Sequence, residues 1–88
     1  MAVYIDKEIG CNTFIRTFPI DVDDSELVWH RDRQDRIVSI KSGGGWQFQY
    51  DNELPFLLEK GMEISIKKGI YHRVLKGYDD LIITIIEE

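Results

Sequence analysis

The chain has 88 residues, of which 43% are hydrophobic and 31% charged, and its formal net charge is −5. A chain of this length is too short to divide into two cores and too apolar to be disordered, so we expect one domain over residues 1–88. The acidic charge argues against nucleic acid as a partner, because affinity for a phosphate backbone comes largely from cationic side chains.

The spacing of the apolar residues predicts an all-β chain, because short alternating runs recur between turn residues and no long run has the period of a helix. In chain order, the predicted strands cover residues 3–9, 13–22, 26–32, 36–41, 45–50, 54–58, 63–66, 72–76 and 81–86. Pro55 requires its strand to be short or to lie at a sheet edge, since proline cannot donate to a ladder. Many short strands with regular turns indicate a closed or folded-over sheet.

Residues 43–50 contain two patterns with structural interpretations. The run Gly43-Gly44-Gly45 lacks the Lys-Ser/Thr of a phosphate loop and precedes a strand, which predicts a tight turn rather than a nucleotide site. Aromatic residues and glutamines alternate over residues 46–50, which predicts a strand with one aromatic face. We expect that face to pack in the core, with pocket lining or a dimer contact as the alternative.

Both histidines of the chain fall on the predicted inner side of the sheet. Side chains alternate along a strand, so His30 and Asp32 share a side with the apolar Val38, provided that the intervening loop keeps register. His72 likewise shares a side with Val74. We therefore predict that His30, Asp32 and His72 all point inward, with each histidine next to a strand edge or a turn.

The spacing of these residues resembles the two motifs of the cupin family, over residues 29–86. The first motif reads His-x-His-x-x-x-Glu-x-x-x-x-x-x-Gly, and the residues at its named positions in this chain are His30, Asp32, Arg36 and Gly43. The second reads Gly-x-x-x-x-x-Pro-x-Gly-x-x-His-x-x-x-Asn, and the matching residues are Gly61, Lys67, Gly69, His72 and Lys76. The spacing is kept, while several identities differ.

The resemblance implies a small jelly-roll barrel of two antiparallel sheets with a divalent metal in its mouth, held by His30, Asp32 and His72. This ligand set is similar to the two-histidine, one-carboxylate face of non-haem Fe(II) oxygenases, so Fe(II) is favoured, with Mn(II), Ni(II) or Zn(II) as alternatives. A metal-free alternative stays open. In that arrangement Asp32 and Arg36 form a half-buried ion pair, and the histidines donate hydrogen bonds.

Arg36 occupies the position of the family's glutamate ligand, and a guanidinium cannot ligate a metal. At about 5 Å and an effective dielectric near 20, it would repel a divalent ion by roughly 6–7 kcal/mol. It could pair with Asp35 or another carboxylate and turn away, or act catalytically by clamping the carboxylate or phosphate of a substrate. Tyr71, beside His72, is a second catalytic candidate, as an acid or base, although packing at the mouth is favoured.

Three functions are compatible with these residues. The first is a metal-dependent oxygenase, lyase or isomerase that acts on a small anionic molecule. The second is a non-catalytic cupin module that binds a small ligand or a partner protein, and the third is a structural dimer. Longer 2-oxoglutarate oxygenases have a basic residue about ten positions past the distal histidine, where this chain has Ile82 and Ile83, so resemblance to them stops at the triad.

The remaining expectations concern location and assembly. The sequence has no apolar run of membrane-spanning length and no signal-peptide pattern, so we expect no membrane partner. Cys11 is the single cysteine, which fits a reducing, cytoplasmic location, and we expect it to be an inert, partly buried thiol. A core this small has little net stability, so we expect a homodimer, a bound metal or both as a supplement.

Overall fold

The computed structural model describes residues 3–88, which contain eight strands and one short 3-10 turn. The strands are β1 (Ile5–Gly10), β2 (Thr13–Phe18), β3 (Arg36–Ser42), β4 (Gln47–Tyr50), β5 (Phe56–Leu57), β6 (Glu63–Ile66), β7 (His72–Leu75) and β8 (Leu81–Glu87). They form a five-stranded sheet in the order β1-β2-β8-β3-β6 and a three-stranded sheet in the order β5-β4-β7. All pairings are antiparallel. The prediction of an all-β fold of two antiparallel sheets is confirmed.

The core lies between the inner faces of the two sheets. Along β8 alternate residues are buried, with Leu81 and Ile85 at 0% and 1% exposure. Trp46, just before β4, is fully buried and Phe48 on β4 is 4% exposed, so the predicted aromatic face does pack in the core. The alternation of the sequence therefore translates directly into an inside and an outside for each sheet. No helix within residues 3–88 has the length and hydropathy needed to cross a membrane.

The predicted strand over residues 26–32 is wrong. Asp24–Glu26 is a 3-10 turn whose N-cap, Asp23, accepts hydrogen bonds from the Ser25 amide and hydroxyl. Short polar side chains satisfy the backbone locally in this way and compete with a sheet ladder. Within residues 26–32 the structure has an isolated β-bridge, in which His30 pairs with His72, in place of the predicted strand.

The end of one predicted strand and the burial of the cysteine also differ from the sequence predictions. The predicted strand 13–22 ends at Phe18, because Pro19 follows and cannot donate to the ladder. The chain turns after Phe18, and the Val22 amide donates to the Pro19 carbonyl. Cys11 lies in the turn between β1 and β2 and is exposed, so the expectation of a partly buried thiol is wrong. As predicted, the strand after Pro55 is short and lies at a sheet edge.

A close crossing of glycine turns connects the two sheets. The Tyr78 amide donates to the Gly44 carbonyl at 2.8 Å, which joins the turn after β3 to the turn after β7. A Cβ added at Gly77 would overlap the carbonyl oxygen of Gly44 and lie 2.5 Å from the amide nitrogen of Trp46. Both neighbours are backbone atoms, so neither can move aside at low cost.

We expect Gly77→Ala to destabilise the protein by about 1–3 kcal/mol, the usual cost of overpacking a tight site. Gly10→Ala is the matched control, because its added Cβ would meet only ordinary van der Waals contact, 3.8 Å from Cβ of Thr13. Urea unfolding of the two variants and the wild type measures the difference. Equal stability of both variants would contradict this account of the crossing.

Candidate metal centre

Three side chains with metal-ligand chemistry converge at one end of the barrel. His30, Asp32 and His72 each offer a ligand atom, and these atoms all lie within 4.8 Å of one another. His72 is buried, the Asp32 side chain is 6% exposed and His30 is open to solvent. The structure therefore brings together the three residues that the sequence predicts, with one side of the cluster accessible.

The backbone pairing of two segments explains why the histidines meet. The His30 amide donates to the His72 carbonyl at 3.0 Å, and the His72 amide donates to the His30 carbonyl at 2.9 Å. Residues paired in this way project their side chains to the same face of a sheet. Asp32 lies two residues further on and shares that face, and its carbonyl accepts from the Gly69 amide at 2.9 Å.

Backbone carbonyls fix the orientation of both imidazole rings. Nδ1 of His30 lies 3.1 Å from the Val28 carbonyl oxygen, and Nδ1 of His72 lies 2.9 Å from that of Ile70. A carbonyl oxygen can only accept, so Nδ1 is the donor in each ring, and in the neutral imidazole the lone pair lies on Nε2. Histidine ligands of metal sites are commonly held by such a hydrogen bond from the other ring nitrogen.

The buried carboxylate of Asp32 has one oxygen bonded and one free. Oδ1 accepts from Nη1 of Arg36 at 3.1 Å. Oδ2 is buried and has no hydrogen-bond partner among the described residues, and it lies 3.5 Å from Nε2 of His72. Two acceptor atoms facing each other in a buried place are costly unless a cation lies between them. The donor set and this oxygen both fit a divalent metal.

Metal binding would need a modest closure of this cluster. Three ligands that share one ion at about 2.1 Å lie roughly 3.0–3.6 Å from one another, so ligand atoms that are now up to 4.8 Å apart must approach by about 1–2 Å. His30 is the exposed member of the cluster and has the most open space for this adjustment.

A carboxylate from the last strand neutralises Arg36. Its Nε and Nη2 donate to Oε2 of Glu87 at 3.0 and 2.7 Å, while Nη1 donates to Asp32. Of the two arrangements considered from the sequence, the structure shows pairing with a carboxylate, although Glu87 takes the part expected of Asp35. Asp35 instead accepts from the Lys68 amide at 2.8 Å. The ion pair of the metal-free alternative is also present, and it leaves Asp32 Oδ2 free.

A cavity of about 350 Å³ opens beside the cluster, and His30, Asp32 and Arg36 lie on its wall. Arg16 of β2 also lines it, buried at 8% exposure, with two hydrogen bonds to Asp6 at 2.8 and 3.0 Å. The sequence reasoning missed Arg16 and Glu87. Strand alternation contained the signal, because Arg16 shares a side with Phe18 and Glu87 shares a side with the core residues of β8.

Tyr71 lies outside the cluster. It precedes His72 in extended backbone and therefore points away from it; it is 43% exposed, beneath the Arg31 guanidinium. Arg73 stacks similarly on Trp29, with its Cζ 4.5 Å from the ring centroid. The role of Tyr71 as an acid or base stays an untested prediction.

Burial lowers the pKa of His72 below its ordinary value of 6.5, and the positive charge of Arg36 and the neighbouring His30 act in the same direction. The hydrogen bond to Ile70 and the charge of Asp32 oppose them. The folded protein therefore favours the neutral imidazole, which is the form that binds a metal.

Solved structures with the same fold include both small cupins and metal-containing enzymes. A cupin-2 domain protein from Shewanella frigidimarina superposes with a TM-score of 0.70 over 97% of this chain and 79% of its own, at 16% identity. The chain has the cupin fold. A DMSP lyase structure gives a TM-score of 0.69 at 18% identity, over 83% of this chain and 35% of its own. HppE in its Co(II) form gives 0.76 at 11% identity, over 100% of this chain and 55% of its own.

The similarity to cupins is one of fold, since all these identities are low. The chain spans 35% of the DMSP lyase chain and 41% of HppE in its Fe(II) form, so it corresponds to part of those enzymes. No family model matches the sequence, and no curated protein matches it significantly. The jelly-roll prediction is confirmed, and a metal site of the predicted residues is supported by their geometry.

The lowered pKa of His72 makes the stability of this small cupin fold depend on pH. Between the folded pKa and 6.5 the unfolded chain binds a proton that the folded chain does not, so His72 makes stability rise with pH through that window and level off above it. In metal-free protein, an NMR titration of the His72 ring should give a midpoint below 6.5. His72→Asn should flatten the pH dependence of unfolding, and a midpoint at or above 6.5 would contradict the assignment.

Proposed function

We propose that this protein binds a divalent metal through Nε2 of His30, Nε2 of His72 and Oδ2 of Asp32, and that the metal serves chemistry on a small anionic molecule. The observation that carries the proposal is the buried Asp32 oxygen that faces the lone pair of His72 and has no hydrogen-bond partner in residues 3–88. Two nitrogen ligands and one oxygen suit first-row metals, and we favour Fe(II) over Mn(II), Ni(II) and Zn(II) because this set is similar to the facial triad.

A triad of three protein ligands leaves coordination positions for a substrate or dioxygen, and a metal bound there would act as a Lewis acid or oxygen activator. The protein's own contribution is positioning. The two backbone carbonyls hold the rings, Arg36 holds the Asp32 carboxylate, and exposed His30 leaves one side of the site open. Oxygenase, lyase and isomerase reactions are all compatible with such a site, so we assign no single reaction.

The anionic character of the substrate rests on two guanidinium groups that line the cavity, those of Arg16 and Arg36. Each already pairs with a carboxylate, and Arg16 uses Nε and Nη2 for Asp6. Within residues 3–88, its Nη1 has no hydrogen-bond partner and can donate to a bound carboxylate or phosphate. The cavity volume of about 350 Å³ fits a small molecule.

The proposal also includes a cytoplasmic, reducing environment, which the exposed Cys11 favours.

A second candidate function is a non-catalytic cupin module that binds a small ligand or a partner protein. Two observations favour it: Arg36 replaces a metal ligand of the cupin motif, and the chain spans 79% of a small cupin-2 protein but about a third to a half of the enzymes it superposes on. The two candidates differ in the measured metal content of purified protein and in whether bound metal has open coordination positions.

Removing a ligand should abolish metal binding. We expect Asp32→Asn and His72→Ala to weaken the affinity for Fe(II), Mn(II) or Ni(II) by at least about 100-fold, more than the loss of an outer-shell partner causes. Asp51→Asn is the matched control, because it makes the same chemical change at an exposed turn residue. Isothermal titration and metal analysis of protein purified without chelator measure the effect. Negligible metal in wild type and variants alike would exclude the first candidate function.

Arg36 and Glu87 should affect metal affinity in opposite directions. Arg36→Gln removes a positive charge beside the metal and should tighten binding about tenfold or more, whereas Glu87→Gln leaves Arg36 less neutralised and should weaken it by a similar factor. The same titrations measure both. If both substitutions weaken binding alike, Arg36 acts by positioning Asp32 rather than by its charge, and this electrostatic account is wrong.

A further inference from the structure

The central strand of the large sheet is apolar on both faces. Inward, Leu81, Ile83 and Ile85 are buried in the core, while the outward positions are Ile82, Thr84 and Ile86. A sheet with one solvated face normally alternates apolar and polar residues, and a continuous apolar run is typical of a strand buried on both faces. Ile86 is nevertheless 40% exposed in the isolated chain.

The neighbouring strands extend this surface. Thr84 pairs with Ile15 of β2, Ile86 pairs with Ile37 of β3, and Ile5 on the edge strand is 63% exposed. We define the outer face by six such side chains, which are Ile5, Ile15, Ile37, Ile82, Thr84 and Ile86. Ile5 and Ile86 are exposed and the other four are half-buried, and five of the six are isoleucines. Contiguous apolar surface on a sheet face usually marks an interaction surface.

A row of paired residues crosses this outer face and has opposite charges at its two ends. Lys7 on β1 pairs with Ile15, Ile15 with Thr84, Thr84 with Ser39, and Ser39 with Glu63 on β6. Thr84 is central, because β8 is the middle strand of five. Neither Lys7 nor Glu63 forms an ion pair within the described part of the chain.

This arrangement is self-complementary. A two-fold axis in the interface and parallel to β8 exchanges the two sides of the sheet, so Lys7 of one copy would face Glu63 of the other, twice. The uncharged centre would pack against itself, with Thr84 beside the axis. A two-fold axis perpendicular to the strands would instead place like charges together, so the charges select one orientation.

We propose that the outer face is the interface of a homodimer, packed sheet on sheet about a two-fold axis that runs along β8. Such isologous packing of two sheets is a standard way of burying an apolar face. The proposal does not depend on the metal site, because His72 lies on β7 of the smaller sheet and His30 and Asp32 lie before β3.

The size of the face sets the strength of the dimer. Five strands spaced about 4.8 Å apart and six residues at ~3.4 Å each give a footprint of roughly 500 Å² per copy. This is smaller than the ~800 Å² per partner of a standard interface, so we expect a reversible dimer with a dissociation constant in the micromolar range.

Charge reversal tests the orientation. Lys7→Glu and Glu63→Lys should each raise the dimer dissociation constant about five- to tenfold, because each creates two like-charge contacts. The double variant should return to within about twofold of the wild type, since the pairs are restored with their signs exchanged. Sedimentation equilibrium with a reductant, which prevents disulfide formation through exposed Cys11, measures the constants. No rescue in the double variant would overturn this axis.

Substitution at the axis tests the face itself. Thr84→Arg brings two guanidinium groups together and should give a monomer with an unchanged circular dichroism spectrum, whereas Leu54→Arg, at a residue 87% exposed outside the outer face, should leave the dimer intact. A wild type that stays monomeric into the high micromolar range would overturn the proposal. So would a dimer that persists in both Thr84→Arg and the single charge reversals, since it would use another surface.

Discussion

The carboxylate of Asp32 is the group on which the site depends. Its two oxygens have different environments, since Oδ1 accepts a hydrogen bond from Arg36 and Oδ2 faces the Nε2 lone pair of His72. Arg36 in turn is bonded to Glu87 at the end of β8. A buried charge must be paired and hydrogen-bonded to be tolerated, and this chain of contacts gives one oxygen a partner while leaving the other available.

An arginine at the position of the motif's glutamate looks incompatible with a metal, yet the net charge of the groups around the site is the same as in the motif. In the cupin motif that this sequence resembles, neutral histidines and one glutamate contribute one negative charge. Here Asp32 and Glu87 contribute two negative charges and Arg36 one positive charge, which again leaves one net negative charge. In the proposed ligand set, Asp32 would supply the oxygen ligand, and Glu87 on the last strand supplies the compensating carboxylate. A divalent ion would therefore meet a similar electrostatic environment with different ligands.

Strand alternation predicted much of the site. It placed Arg36 and His72 on the inner side, because each is an even number of residues from an inward apolar residue on its own strand. The predicted strand over residues 26–32 does not form, because local hydrogen bonds of Asp23 and Ser25 shape the chain just before it, and His30 and Asp32 reach the site through the bridge between His30 and His72 instead. Pairings such as Arg36 with Glu87, which are 51 residues apart, depend on the register between strands. Register is set by turns and packing across the whole sheet, so no local pattern reveals it.

Strand β8 connects the two surfaces on which function is proposed. Glu87 and the core residues lie on its inner side, and Thr84 and Ile86 lie on its outer side. A chain of this size has a small core, so a second layer packed on the outer face would supply burial that the isolated domain lacks. The same packing would hold β8 on both sides, and with it the carboxylate that neutralises Arg36. The apolar sequence of this strand is therefore understood best when both of its faces are considered together.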